Sequence, residues 1–296
     1  MRRITLSVLC LAAGATMSAC SGPDKVIATP DTPTAGVRFI NALPDSAGAF
    51  GLDFRFVDIV DNATSFRQTF RNTPTTTAGI TASTGIQFKA TNAGSRHFVI
   101  FLDDTIQAIA STKIKDSTFT FEAGKNYSVI VWGPARAGQM KVKIIDETVA
   151  DPGPGKVALR VLNVSDTPYD VRAYLGATVP GSPTWANVAP YSASTFVASD
   201  TGSITFNVQP VGGGTVTFAN MTGLLGAPAT STAGCPLPPL TCKYDIEPIP
   251  GTRIAGSGIS LIIWPRSTAG SRAPQGTAFA VPAGTFVWDR RPPRGF

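Results

Sequence analysis

The chain has 296 residues, 43% of them hydrophobic and only 15% charged, with a formal net charge of +6 at pH 7. Arg2 and Arg3 lie in a segment that reads as a cleaved signal, which leaves about +4, and Arg290, Arg291 and Arg294 crowd into the C-terminal end. A body this close to neutral, with no basic stripe interleaved with aromatics, excludes a nucleic-acid-binding protein.

Residues 1–19 combine the two arginines with an apolar run over residues 4–13 and a small-residue ending at Met17-Ser18-Ala19-Cys20. The run is too short for a spanning helix of about 20 residues and reads as a signal peptide. A small-small-Cys ending resembles a bacterial lipobox, which implies lipidation of Cys20 as the new N-terminus. Ser21 in place of Asp favours delivery to the outer membrane or cell surface. The expectation is an exported, membrane-anchored lipoprotein held by its N-terminal lipid.

Residues 20–35 contain Pro23, Pro30 and Pro33 among small polar residues and form the expected tether. From Val37-Arg38-Phe39-Ile40-Asn41 onward, short strand-like runs recur at 51–58, 86–90, 97–102, 106–114, 118–121, 127–132 and 139–145. Turn formers such as Ala123-Gly124-Lys125-Asn126 separate many of them. No sustained helical period is present. The abundance of Gly, Pro, Ser and Thr with few charges fits an all-β protein.

Asp151-Pro152-Gly153-Pro154-Gly155 reads as a linker, and the pattern then restarts. Leu159-Arg160-Val161-Leu162-Asn163-Val164-Ser165-Asp166 echoes Val37-Arg38-Phe39-Ile40-Asn41-Ala42-Leu43-Pro44-Asp45, and Asp170-Val171-Arg172 echoes Asp53-Phe54-Arg55. Phe196, Gly202-Ser203 and Phe206 repeat the spacing of Phe88, Gly94-Ser95 and Phe98. Leu261-Ile262-Ile263-Trp264-Pro265 echoes Val129-Ile130-Val131-Trp132-Gly133-Pro134. Four echoes in one order indicate an internal duplication. The predicted architecture is two tandem antiparallel, immunoglobulin-like β-sandwich domains, 36–150 and 156–289, with a 151–155 linker of limited mobility and an exposed basic tail at 290–296.

In an exported chain the two cysteines outside the signal and lipid site, Cys235 and Cys242, are expected to pair as a structural disulfide. They bracket a proline-rich stretch and close only a short loop.

The first strand with its Asn41-Ala42-Leu43-Pro44-Asp45 turn, and the later Ala123-Gly124-Lys125-Asn126-Tyr127 element, resemble the bacterial domain-of-unknown-function family 4397. The resemblance covers about 36–148 well and 156–270 more loosely. It implies exported, often lipid-anchored proteins with tandem copies, and it brings no activity, cofactor or catalytic residues. On physical grounds Asn41 and Asp45 fix the turn after the first strand, Gly124 supplies a positive φ, and Tyr127 anchors the strand that follows, with a ligand site built on these loops as the alternative.

Candidate chemistry is sparse. His97 is the only histidine, its counterpart is Thr205, and no Gly-x-Ser-x-Gly elbow exists, so a catalytic triad is not expected. Zinc lacks ligands, and neither Asp58 with Asp61 and Asn62 nor Asp103 with Asp104 has calcium-loop spacing. No metal or other cofactor is expected. Gly212-Gly213-Gly214 leads into a strand and reads as a hairpin turn rather than a phosphate loop. Trp132 and Trp264 are placed in the core. Trp185 and Tyr191 are the candidate rings for stacking on a partner, an envelope glycan or protein. The expected function is a non-catalytic binding, adhesion or structural module of the cell envelope. A carbohydrate- or peptidoglycan-binding module is the alternative, and a carboxylate-based hydrolase is a more remote one.

Overall fold

The computed structural model describes residues 32–45, 51–59, 66–68, 86–102, 105–233 and 243–293. The signal segment, Cys20, Asp61, Asn62, Asp103, Asp104, Cys235 and Cys242 lie outside them.

The first half consists of β1 (Thr34–Ala42), β2 (Leu52–Phe56), β3 (Phe66–Gln68), β4 (Lys89–Asn92), β5 (Gly94–Leu102), β6 (Lys113–Phe121), β7 (Asn126–Trp132) and β8 (Lys141–Asp146). They form two four-stranded sheets, ordered β4-β1-β7-β8 and β3-β2-β5-β6. Val37, Phe39, Phe54, Ile100, Phe121, Tyr127 and Val129 fill the space between the sheets. Phe39 and Phe54 rings lie 4.4 Å apart, and Phe121 meets Tyr127 edge-on at 5.2 Å.

One expected strand is broken. Within 106–114 the chain makes a single helical turn, α1 (Gln107–Ala110), before β6 begins. The register of β5 against β6 pairs Gly94 with Phe121 and Phe101 with Lys113, so the chain must reverse between residues 102 and 113.

The second half comprises β9 (Lys156–Asn163), β10 (Tyr169–Tyr174), β11 (Trp185–Val188), β12 (Ser192–Ala193), β13 (Val197–Asp200), β14 (Thr205–Pro210), β15 (Phe218–Thr222), β16 (Thr230–Ala233), β17 (Lys243–Ile246), β18 (Gly258–Trp264) and β19 (Ala283–Arg290). Its sheets run β12-β9-β18-β19, with β13 also on β9, and β11-β10-β14-β15. Strands β16 and β17 form a separate hairpin pairing. Taking β13 for β4, the strand order of the first half recurs sheet by sheet. Each half contains one parallel pairing, β1 with β7 and β9 with β18, where an all-antiparallel arrangement was expected. These partners are far apart in sequence, so no tight hairpin dictates an antiparallel approach.

The four central strands are buried on both faces. Along β1, Val37 and Phe39 face the first sandwich, while Ile40 and Ala42 join a third cluster with Ile130, Trp132, Leu162, Val164, Ile262 and Trp264. In β9 and β18, Leu159, Val161, Leu261 and Ile263 face the second sandwich, and Leu162, Ile262 and Trp264 face the first half. Burial on both faces explains why these strands read as nearly continuous apolar runs. The halves therefore share a core, and residues 33–296 form one compact unit.

At the centre of that shared core lies a charge cluster repeated about the contact. Arg38 is paired in register with Ser128, and Arg160 with Ser260. Arg38 Nε donates to Ser128 Oγ at 2.6 Å, and Arg160 Nε donates to Ser260 Oγ at 2.7 Å. Ser128 in turn donates to Glu147, and Ser260 to Asp289. The guanidiniums then cross between halves: Arg38 reaches Asp289 at 2.5 Å and Arg160 reaches Glu147. Arg38 also pairs with Glu147 at 3.0 Å. Each guanidinium lies over a ring, Arg38 over Phe88 at 4.4 Å and Arg160 over Phe196 at 4.6 Å. Two cations face two carboxylates, so the cluster is neutral as a set. Burial alone would push the Arg160 guanidinium down, but Asp289 and Glu147 overcome it and hold it above its ordinary value.

Candidate functional site

The turns after the first strands are held by the residues expected to hold them. Asn41 Oδ1 accepts from Leu43 N at 3.2 Å. The buried Asp45 carboxylate accepts from Ala135 N at 2.9 Å and Arg136 N at 2.8 Å, which ties this turn to the one after β7. Asn163 does more: its Oδ1 accepts from Ser165 N, and its Nδ2 donates to the carbonyls of Thr167, Val188 and Ala189. Gly124 has φ +76°, and Tyr127 Oη accepts from Glu122 N at 3.1 Å across the same turn. Gly133 has φ +80°, and a Cβ there would lie 2.7 Å from the Gln139 carbonyl, so only glycine fits between Trp132 and Pro134.

These turns converge. Pro44 follows β1, Pro134 follows β7, Asp166 follows β9 and Arg266 follows β18, and all four line one cleft of 640 Å³. Tyr191 and the loop residues Ser267 and Thr268 line it too. The carboxyl ends of all four central strands thus meet at one place, and both halves supply its walls. A backbone hydrogen bond from Thr268 N to Pro44 O, 2.7 Å, joins the halves at the rim.

Three features distinguish this cleft from an ordinary surface groove. Tyr191 has φ +54°, a left-handed backbone that costs a bulky side chain energy and recurs at functional sites. Its half-buried ring packs on Trp132 with centroids 5.8 Å apart. Burial, together with the nearby carboxylates of Asp166 and Asp45, pushes the Tyr191 phenol up. Ser267 is 8% exposed, and its Oγ has no hydrogen-bond partner among the described residues. Arg266 is exposed and makes no ion pair among the described residues.

Trp132 and Trp264 show how the two strand ends differ. Both are buried. Trp264 Nε1 donates to Thr285 Oγ1 at 3.1 Å, whereas Trp132 Nε1 has no partner among the described residues. The slot held by Thr285, opposite Ile262, is held opposite Ile130 by Lys143, whose Nζ lies 5.6 Å from the Trp132 ring centroid.

Trp185, the other candidate stacking ring, is not at this site. It is 6% exposed within the second sandwich core, and its Nε1 donates to Thr195 O at 3.1 Å. Its faces are covered by protein, because β11 lies on β10 and turns the indole inward. Of the two rings singled out in the sequence, only Tyr191 reaches the cleft. Pro44 lies on the Asn41–Asp45 loop, where a ligand site was the alternative to a scaffold role, whereas Ser267, Arg266 and Asp166 went unrecognised. The signal that could have found them was positional, since each follows one of the four echoed strand ends.

The remaining candidates sit elsewhere. His97 is half-buried on β5, with Nε2 2.5 Å from Asp116 Oδ1, and this contact followed by Lys113 holds the Asp116 carboxyl below its usual range. Gly212, Gly213 and Gly214 all have positive φ between β14 and β15, in a hairpin turn. Among the described residues there is no group of three His, Cys, Asp or Glu side chains placed to hold a metal ion, and no helix long and apolar enough to cross a membrane.

Fold and cleft together define the class as an all-β protein of packed sandwiches whose central strand ends build one shared polar cleft. Residues 35–174 match the family model described as "Domain of unknown function (DUF4397)". That stretch covers the whole first half and runs on through β9 and β10, which supports the resemblance read from the first strand. No curated protein matches the chain.

Proposed function

We propose that the protein is an exported, lipid-anchored envelope module that binds a ligand in the cleft and performs no chemistry on it. The observation that carries this reading is the convergence of four strand-end turns on a cleft whose lining includes a strained Tyr191 and an unpartnered Ser267 hydroxyl. Its volume falls within the range of sites for small ligands, about 300–1,000 Å³. Asp166 is its carboxylate, while Asp45 beneath it is already committed to two backbone amides. Paired acid–base catalysis needs two carboxylates free to act. In this reading the second half is a divergent copy of the first, Cys235 and Cys242 form a local disulfide, and the lipid on Cys20 holds the module at the outer membrane or cell surface.

The cleft is about 30 Å along β1 from Thr34, near where the chain enters the folded unit. Anchoring is checked by fractionation: Cys20→Ala should abolish membrane association of the processed protein. Processed Cys20→Ala protein still sedimenting with membranes would refute the lipid anchor.

A further inference from the structure

We infer that the cleft takes a saccharide bearing a carboxylate, with Arg266 receiving the acid and Tyr191, Pro44 and Pro134 packing against a pyranose ring. The inference rests on the reading of the cleft as a binding site and adds the class of ligand.

The lining argues for a ring with many hydroxyls. Its apolar part is two prolines, one tyrosine and two alanines, with Tyr191 the one ring, and its polar part includes separate side-chain groups: Gln139, Asp166, Arg266 and Thr268. Gln275 is already committed, since its amide donates to Ala273 O at 2.7 Å and Thr268 O at 3.1 Å and accepts from Gly270 N. Asp166 is exposed, and the hydrogen bond it accepts from the Thr167 hydroxyl, at 3.2 Å, stays within its own turn. Free acceptor capacity on a carboxylate suits vicinal hydroxyls. The walls are turns rather than a free strand edge, so an extended peptide cannot add to a ladder there.

Arg266 is the group that would receive the acid: a rim guanidinium with no ion pair among the described residues presents a planar fork of donors matched to a carboxylate. Beside it, the buried Ser267 hydroxyl has no hydrogen-bond partner among the described residues.

The test is calorimetric titration of the chain from residue 21 onward, which contains the whole folded unit 33–296. Four probes are used: a disaccharide containing N-acetylmuramic acid, a galacturonic acid oligomer, neutral chitobiose and an uncapped tetrapeptide. The expected result is binding of an acidic saccharide, with chitobiose weaker by about tenfold or more. Arg266→Gln should erase that difference, and Tyr191→Leu should weaken every saccharide by a similar factor. The two acidic probes distinguish a wall-type sugar from a capsule-type one. Equal affinities for acidic and neutral sugars, or an Arg266→Gln variant that keeps the preference, would overturn the inference. Because Arg266 is exposed, that variant stays informative even if Tyr191→Leu fails to fold. Binding of the peptide alone, lost in Tyr191→Leu, would remove the saccharide while leaving the cleft as a binding site.

Discussion

Arg160→Met is expected to lower the free energy of unfolding by about 3–5 kcal/mol, the range found when one partner of a buried ion pair is removed. Arg160 lies with Glu147, Asp289 and Arg38 in a cluster closed to water, and methionine would leave two carboxylates facing one guanidinium. Against a total stability of about 5–15 kcal/mol, that loss is large enough to unfold part of the population. The carboxylates cannot turn to solvent, because Glu147 and Asp289 side chains are fully buried. Urea unfolding should show a lower midpoint with an unchanged slope. The double variant Arg160→Met/Glu147→Gln should lose less than the sum of its single changes, because the removed charges were partners. A loss below about 1 kcal/mol for Arg160→Met would show that the cluster does not hold the halves together as described.

The second large effect concerns the halves themselves. Residues 33–150 expressed alone are expected not to give a folded monomer. Separation would bare Ile40, Ala42, Ile130 and Trp132 on one continuous face, all buried in the intact unit. It would also expose the Arg38–Glu147 pair without Asp289 and Arg160. Burying a large apolar side chain is worth about 1.5–3 kcal/mol, so the exposed face represents several kcal/mol of lost stabilisation. Sedimentation and chemical unfolding of the fragment should show self-association or loss of a cooperative transition. A stable monomer unfolding as sharply as the full chain would mean that each sandwich stands by itself.

The same interface explains where the sequence was readable. All-β architecture and most strand positions were legible because turn formers punctuate the chain and β-branched runs lie between them. The echoes were legible too, and their matched residues take matched places: Arg38 and Arg160 each bond a serine on the neighbouring strand, and Phe88 and Phe196 each lie against one of those arginines. What the echoes did not reveal was that the two halves face one another. The clue was an arginine inside an apolar run, Val37-Arg38-Phe39-Ile40, where alternation shows neither face free for water. A lone strand with one wet face would not place Ile40 and Ala42 beside Arg38. The one-turn helix at Gln107–Ala110 was missed because a short apolar run does not distinguish a strand from a turn of helix.

The cleft was only partly legible for a related reason. Tyr191 stood out as a ring in a proline-rich stretch, and Trp185 in the same stretch stood out more. Their fates diverge through backbone geometry: β11 directs Trp185 into the core, while the left-handed backbone at Tyr191 points its ring toward Trp132 and the cleft. Ser267 and Arg266 carry no motif of their own. They matter because the turn after β18 is brought beside the turns after β1, β7 and β9, which no local pattern records.

Photo-crosslinking in intact cells asks directly whether the cleft is occupied. A photoreactive residue replaces Thr268, exposed at the cleft rim, and separately Val57, exposed on the first half and absent from the cleft lining. A discrete envelope adduct is expected from position 268 and none from position 57, with the adduct lost when Tyr191→Leu is added. Adducts of equal yield from both positions, or none from 268, would contradict occupancy of the cleft.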